Sequence, residues 1–231
     1  MAGQSRRVIG YYGHWRWAGV ARSCGSWAKM LDPAATLALA EQIAEAARRL
    51  GFETALIGAA ALAVHRYTRG TEDIDLATCV DPRTQLGALE NTLVSVGLRT
   101  ILRLPDDDDP LGGVLVVWAS EDEDGQPTDV VEVVNFSNPG RPLRTPAAAA
   151  IARALPLPDS GLRCVTIEDL VAFKLYAGGL ADHADIVQLL AHNPDADLAS
   201  IRAVAAPFDR GGNLEALIEQ ASMSRVGRSR R

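Results

Sequence analysis

The sequence has few aromatic residues and few cysteines for its length. Only 5% of its 231 residues are Phe, Trp or Tyr, so a core has to be built mainly from Leu, Val, Ile and Ala. The three cysteines, Cys24, Cys79 and Cys164, lie far apart, and no Cys-x-x-Cys pair occurs. This pattern argues against a disulfide framework and a structural zinc site. It favours a reducing, cytoplasmic location.

The sequence also lacks long apolar runs and an excess of positive charge. No segment approaches the roughly 20 uninterrupted apolar residues of a membrane span, and no signal-peptide core follows Arg6 and Arg7. We therefore expect a protein that is not exported and has no membrane partner. The formal net charge of −6 argues against a broad basic face for nucleic acid but leaves room for a local basic groove.

Composition and periodicity divide the chain into three regions. Residues 1–31 mix Gly, Arg and Trp without a period and predict a flexible leader. An ordered domain is predicted over 32–222, beginning with the helix cap Asp32-Pro33, and a basic tail over 223–231. The predicted order is a helix to residue 51, a strand at 54–57, a helix at 59–66, a strand at 73–76, a helix at 81–96, strands at 99–104, 113–119 and 129–136, and helices at 145–155, 166–177, 181–191, 197–205 and 213–222. This order predicts an α+β fold.

Two acidic residues, Asp73 and Asp75, lie within a predicted strand. Side chains two residues apart on a strand point to the same side, so both carboxylates face away from Ile74 and Leu76, which are expected to face the core. Carboxylate pairs at this spacing repel each other unless a cation lies between them, and Mg²⁺ prefers oxygen ligands together with substrate phosphates. An Asp-x-Asp pair on a half-exposed strand is more often simply solvated.

Residues that suit a phosphate group lie just before this pair. Gly58 ends one strand and begins a helix, where backbone N–H groups can approach a phosphate closely. Arg69 and Thr71 add a guanidinium and a hydroxyl group. For Arg69, an ordinary surface position is the alternative interpretation.

Together these residues resemble a known signature. Residues 58–62 (GAAAL) followed by 69–76 (RGTEDIDL) resemble the AbiEii-like nucleotidyltransferases, a branch of the DNA polymerase β superfamily that includes toxins of toxin–antitoxin systems. Residues 166–190 are similar to the later motifs of that family. The resemblance implies a polymerase β-type nucleotidyltransferase sheet flanked by helices, with C-terminal helices, over residues 32–222.

The resemblance also implies roles for particular residues. Asp73 and Asp75 would hold Mg²⁺, and Gly58 and Ala59 would form the nucleotide-binding turn with Arg69 and Thr71. Lys174 would meet the triphosphate, and Asp182 or Asp185 would supply the last acidic motif. Lys174 lies in the apolar segment 170–177, where a charge is costly unless it meets an anion; the alternative is that it reaches solvent from the helix edge. Asp182 has the alternative role of a helix cap, and Asp185 that of a surface charge.

Polymerase-like nucleotidyl transfer often needs a third carboxylate on a neighbouring strand. Asp129, at the start of the segment DVVEVV, is our candidate, and Glu132, on the other face of that strand, is its rival. Either residue can also be an ordinary surface carboxylate.

The expected activity is transfer of a nucleoside monophosphate from an NTP to a hydroxyl group. The resemblance implies the 3′ end of tRNA or a protein as the acceptor, and a cognate antitoxin as a possible partner. The alternative is an inactive nucleotide-binding or antitoxin-type protein of the same fold. Ala59 favours this alternative, because the family often has Gly or Ser there and the chain thus lacks one hydroxyl contact.

Overall fold

The computed structural model describes residues 33–70, 73–107 and 109–228. The predicted leader therefore lies outside the described residues, and so do Thr71 and the last three residues of the predicted tail. The helices are α1 (Pro33–Arg49), α2 (Gly58–Val64), α3 (Gln85–Ser95), α4 (Ala147–Arg153), α5 (Ile167–Ala177), α6 (Leu180–His192), α7 (Leu198–Ala205) and α8 (Leu214–Arg228). None of the helices in this part of the chain is long and apolar enough to span a bilayer.

A mixed seven-stranded sheet forms the centre of the fold. Its strands are β1 (Ala55–Leu56), β2 (Asp73–Thr78), β3 (Arg99–Arg103), β4 (Val114–Trp118), β7 (Val130–Asn135), β8 (Leu155–Pro156) and β9 (Arg163–Cys164), in the order β3-β4-β7-β2-β1-β9-β8. Strands β2 and β7 run parallel at the middle, whereas β4 is antiparallel to β7, and β1 is antiparallel to β2. The predicted α+β class, with a sheet flanked by helices and further helices at the C-terminus, is confirmed.

The C-terminal helices form a helical layer with α5 at its centre. Thr166 caps α5 by accepting the N–H of Asp169, and the helix ends at Gly178, which has the left-handed φ of 69° that favours glycine. Helix α5 packs against α2, α6 and α7, and α6 packs against α8. Nearly every side chain of α5 is buried, and α2, which α5 contacts, packs in turn against β2.

The structure differs from the sequence-based expectations mainly at short elements and element ends. Strands β5 (Ser120–Glu121) and β6 (Pro127–Thr128) form a separate hairpin between the strands predicted at 113–119 and 129–136. Strands β8 and β9 occur where no strand was predicted, between α4 and α5. Helix α8 continues to Arg228, beyond the predicted end at residue 222, so the helix includes most of the segment expected to be a basic tail. A two-residue strand is too short for alternation to reveal it; β1 was predicted because it lies within the apolar segment 54–57.

Candidate functional site

The parallel pair of central strands brings three carboxylates to one face of the sheet. In the register of β2 and β7, Asp73 lies beside Val130 and Asp75 lies beside Glu132. Paired residues on neighbouring strands share a face, so Asp73, Asp75 and Glu132 project to the same side. The alternating residues Leu76, Val131 and Val133 are fully buried on the other face.

Gly58 lies directly against the Asp75 carboxylate. The backbone N–H of Ile57 donates to the Asp75 carbonyl oxygen at 3.0 Å, which ties the turn to β2. A Cβ atom at residue 58 would lie 2.0 Å from Asp75 Oδ2, and Gly58 has a φ of +62°. Both the space and the conformation therefore require glycine here. The Asp75 carboxylate and the glycine turn are in contact, with no packed core between them.

The electrostatics of this face disfavour three ionised carboxylates. The pKa of Asp75 is raised from 3.8 to about 7, first because burial disfavours its charged form and then because of Asp73 and Glu132. Lys174 and Arg69 act in the opposite direction, so both cations are within electrostatic reach of Asp75. Burial also raises the pKa of Glu132, with a further contribution from Asp73. A nearby divalent cation would relieve this repulsion.

The two candidates for the third carboxylate have different surroundings. Asp129 precedes β7 with a φ of 54° and accepts a hydrogen bond of 3.1 Å from Thr36 Oγ1 of α1. Glu132 lies in register with Asp75 and shares its face. The structure thus brings Glu132, and not Asp129, into the row with Asp75. The signal was present in the segment DVVEVV, because alternation places Asp129 with the inward-facing Val131 and Val133.

Lys174 does not reach out to solvent. It is 7% exposed and forms ion pairs with Asp182 at 2.9 Å and with Asp185 at 2.8 Å. Burial acts to lower the pKa of Lys174, but these two carboxylates outweigh it and the pKa is raised. Asp182 also accepts the N–H of Gly179 at 3.2 Å, as expected for a residue that caps α6.

Arg69 belongs to the same charged group. Its Nε lies 3.2 Å from Asp185 Oδ1, and its side chain is 41% exposed, whereas that of Asp185 is 4% exposed. The alternative interpretation of Asp185 as a surface charge is wrong, because its side chain is buried. Sequence analysis gave no sign of this link, because it depends on how α6 packs beside the loop before β2.

The remaining predicted site residues add no described side chain to this charged face. The Ala59 side chain is buried in α2, so only its backbone is available to a ligand. Thr71 lies outside the described residues. Within 33–70, 73–107 and 109–228, no three His, Cys, Asp or Glu side chains converge as a ready-made metal-binding group. The row of carboxylate oxygens has the donor chemistry that suits Mg²⁺, but its side chains would have to rotate to meet one ion.

Comparison with known proteins supports the fold. No protein-family model matches the chain, and none of the curated proteins matches it at a significant level. The solved structure of an antigenic nucleotidyltransferase-like protein from Paracoccidioides brasiliensis is similar, with a TM-score of 0.50 and 16% identity over 82% of this chain and 94% of that chain. The chain therefore has a fold of the nucleotidyltransferase type.

Two further solved structures show weaker likeness. ANT(2″)-Ia in complex with adenylyl-2″-tobramycin has a TM-score of 0.44 and 16% identity, over 74% of this chain and 95% of that chain. The nucleotidyltransferase toxin MenT4 from Mycobacterium tuberculosis has a TM-score of 0.40 and 19% identity, over 78% of this chain and 70% of that chain. Nothing about the reaction of this chain follows from similarity at this level.

Proposed function

We propose that this protein transfers a nucleoside monophosphate from an NTP to a hydroxyl group. The observation that carries the proposal is the row of carboxylates Asp73, Asp75 and Glu132, in which Asp75 lies against Gly58 and near Lys174 and Arg69. A row of acidic groups next to two cations fits a ligand that brings both metal and phosphate. The nucleotidyltransferase-type fold agrees with this reaction class.

The residues of the site divide into two groups by charge. Lys174 and Arg69 offset the charge of the phosphate groups and orient them. Glu132 is our third carboxylate in place of Asp129, because it lies in register with Asp75 on the shared face. One of its oxygens can accept the proton of the attacking hydroxyl group. In the transfer, the hydroxyl oxygen forms a bond to the α-phosphorus. The bond between the α-phosphorus and the oxygen that bridges it to the β-phosphate breaks, and pyrophosphate leaves with that oxygen.

Mg²⁺ is the ion that the donor chemistry of this face favours. Asp73, Asp75 and Glu132 would hold it, and Gly58 leaves the space that the Asp75 carboxylate occupies. When bound, the ion would neutralise charge on the phosphate groups and orient the α-phosphate. The convergence of three carboxylates on one face of β2 and β7 is the observation that supports a cation at this place, because such a group repels itself unless a cation lies among its members.

For the acceptor, we propose the two hydroxyl classes that the AbiEii resemblance implies, the 3′ end of tRNA and a protein side chain. The same resemblance implies a toxin that acts with a cognate antitoxin. The acidic net charge of −6 favours a small acceptor contact over an extended RNA-binding face. Both classes are distinguished in one experiment by the size and nuclease sensitivity of the labelled product.

The test is incubation of the protein with each α-labelled NTP, Mg²⁺ and a cell extract. We expect label to enter tRNA or a protein and pyrophosphate to be released. The variant carrying Asp73→Ala and Asp75→Ala should label nothing while remaining folded. A matched control is Asp122→Ala with Asp124→Ala, an acidic pair at the same spacing in the β5–β6 turn, which should label normally. Equal labelling by the site variant and wild type would end the proposal.

A second candidate function is an inactive nucleotide-binding module. It is favoured by the ion pairs of Lys174 with Asp182 and Asp185, because a cation that already has two partners has less to offer a phosphate. Thermal shift with ATP, CTP, GTP and UTP, combined with the labelling assay, separates the two functions. Stabilisation by an NTP without labelling of any acceptor would support the inactive module.

A further inference from the structure

Asp185 links three segments of the chain at the edge of the candidate site. Its Oδ1 lies 3.2 Å from Arg69 Nε, in the loop that precedes β2, and its Oδ2 lies 2.8 Å from Lys174 Nζ on α5. Asp185 itself belongs to α6. One buried carboxylate thus holds both cations that act on Asp75.

The burial and charge of Asp185 argue against direct contact with a nucleotide. Its side chain is 4% exposed, and both carboxylate oxygens lie within ion-pair distance of a cation, although Oδ2 has no hydrogen bond of good geometry. A carboxylate and a triphosphate are both anions, so they repel each other in a partly dry site. Arg69, by contrast, is 41% exposed at its side chain and is able to meet a ligand while its Nε stays paired.

We infer that Asp185 is a positioning residue, which fixes the Arg69 loop and Lys174 relative to β2 so that both cations face the same phosphate group. The inference deepens the proposed function and rests on it for its kinetic consequence. It replaces the expectation that Asp185 contacts the nucleotide. Precise placement of charged groups is a large part of phosphoryl-transfer catalysis, because such reactions depend mainly on orientation and electrostatics.

The first test measures the loop itself and needs neither metal nor nucleotide. Amide hydrogen exchange is compared for full-length wild type and Asp185→Asn, which keeps the size of the side chain and removes its charge. We expect faster exchange in residues 66–70, with the core strands β4 and β7 unchanged. Unchanged exchange in residues 66–70 would overturn the inference, as would an increase spread evenly over the whole chain, which indicates only lower stability.

A matched control is available in the same helical layer. Asp169 is fully buried on α5 and pairs with Arg153 through a bidentate contact, so Asp169→Asn also removes a buried charge and leaves an arginine without its partner. We expect this variant to leave exchange in residues 66–70 at the wild-type level. Faster exchange there in both variants would show a general loss of stability and contradict a specific role for Asp185.

The second test is a double-mutant cycle in kcat/KM for NTP. Asp185→Asn and Arg69→Ala are each expected to lower kcat/KM by roughly tenfold or more, and the double variant by no more than about twofold beyond the worse single variant. Full multiplication of the two effects would mean that Asp185 does not act through Arg69, and would overturn the inference. If wild type consumes no NTP, the proposed function fails, while the exchange experiment still decides the role of Asp185 in holding the loop.

Discussion

Replacing Asp75 with Asn is expected to stabilise the metal-free protein at neutral pH. The folded protein raises the pKa of Asp75 from 3.8 to about 7, so the folded state binds this proton more tightly than the unfolded chain. A group of this kind contributes most stability at low pH, and the contribution is lost as pH rises from about 4 to about 7. At 1.36 kcal/mol per unit of pKa shift, the stability lost to ionisation of Asp75 is about 4 kcal/mol at pH 8 and about 2 kcal/mol at pH 5. Both values are upper bounds, because Asp75 is only partly buried and solvent screens its charge.

The measurement is urea unfolding in EDTA at pH 5 and pH 8. Asp75→Asn should be more stable than wild type, and by more at pH 8 than at pH 5. Glu123→Gln, at an exposed position in the β5–β6 turn, removes the same charge and serves as the control; it should change stability little at either pH. A variant that is less stable than wild type at pH 8, or a difference that does not grow between pH 5 and pH 8, would refute the assigned burial and repulsion at Asp75.

Three other substitutions test the geometry of the same face. Gly58→Ala should lower stability and abolish at least about 90% of turnover, because the new Cβ would lie 2.0 Å from Asp75 Oδ2 at a φ of +62°. Circular dichroism measures the stability, and the labelling assay measures the turnover. Full activity in this variant would show that turnover does not depend on the observed position of Asp75. Glu132→Gln should lower kcat roughly a hundredfold or more, whereas Asp129→Asn should keep it within about threefold, because only Glu132 shares the face of Asp75. The reverse order in these two kcat values would reinstate Asp129.

The local pattern was sufficient to predict the main elements of the fold. Alternation of Asp73, Ile74 and Asp75 predicted the strand and its two faces, and the structure has that strand as β2. Thr166 was predicted to begin a helix and does cap α5. These features depend on residues within one or two turns of each other, so a single sequence contains the information.

The choice between Asp129 and Glu132 needed information of another kind. The pairing of β2 with β7 joins residues more than fifty positions apart, and a register over that distance is not visible in local alternation. The valines beside Glu132 gave a partial indication. If Val131 and Val133 face the core, alternation along the strand places Glu132 on the opposite face. That indication becomes decisive only once β2 and β7 are known to be adjacent.

The ion pairs of Asp185 were also beyond local patterns. They require α5, α6 and the loop before β2 to meet, and each of these segments was predicted without a position in space. A charge within a helix such as α6 is usually solvated, so a surface position was the alternative to a role in the last acidic motif. The buried location follows from packing, and it changes Asp185 from a candidate ligand contact to a proposed positioning residue.

The location of bound metal and nucleotide tests the central claim most directly. Crystals grown with Mn²⁺ and a non-hydrolysable NTP should show anomalous density between Asp73, Asp75 and Glu132, with the triphosphate beside Gly58 and within reach of Lys174 and Arg69. Density for the metal–nucleotide complex on any other surface, or none at millimolar nucleotide, would contradict the account.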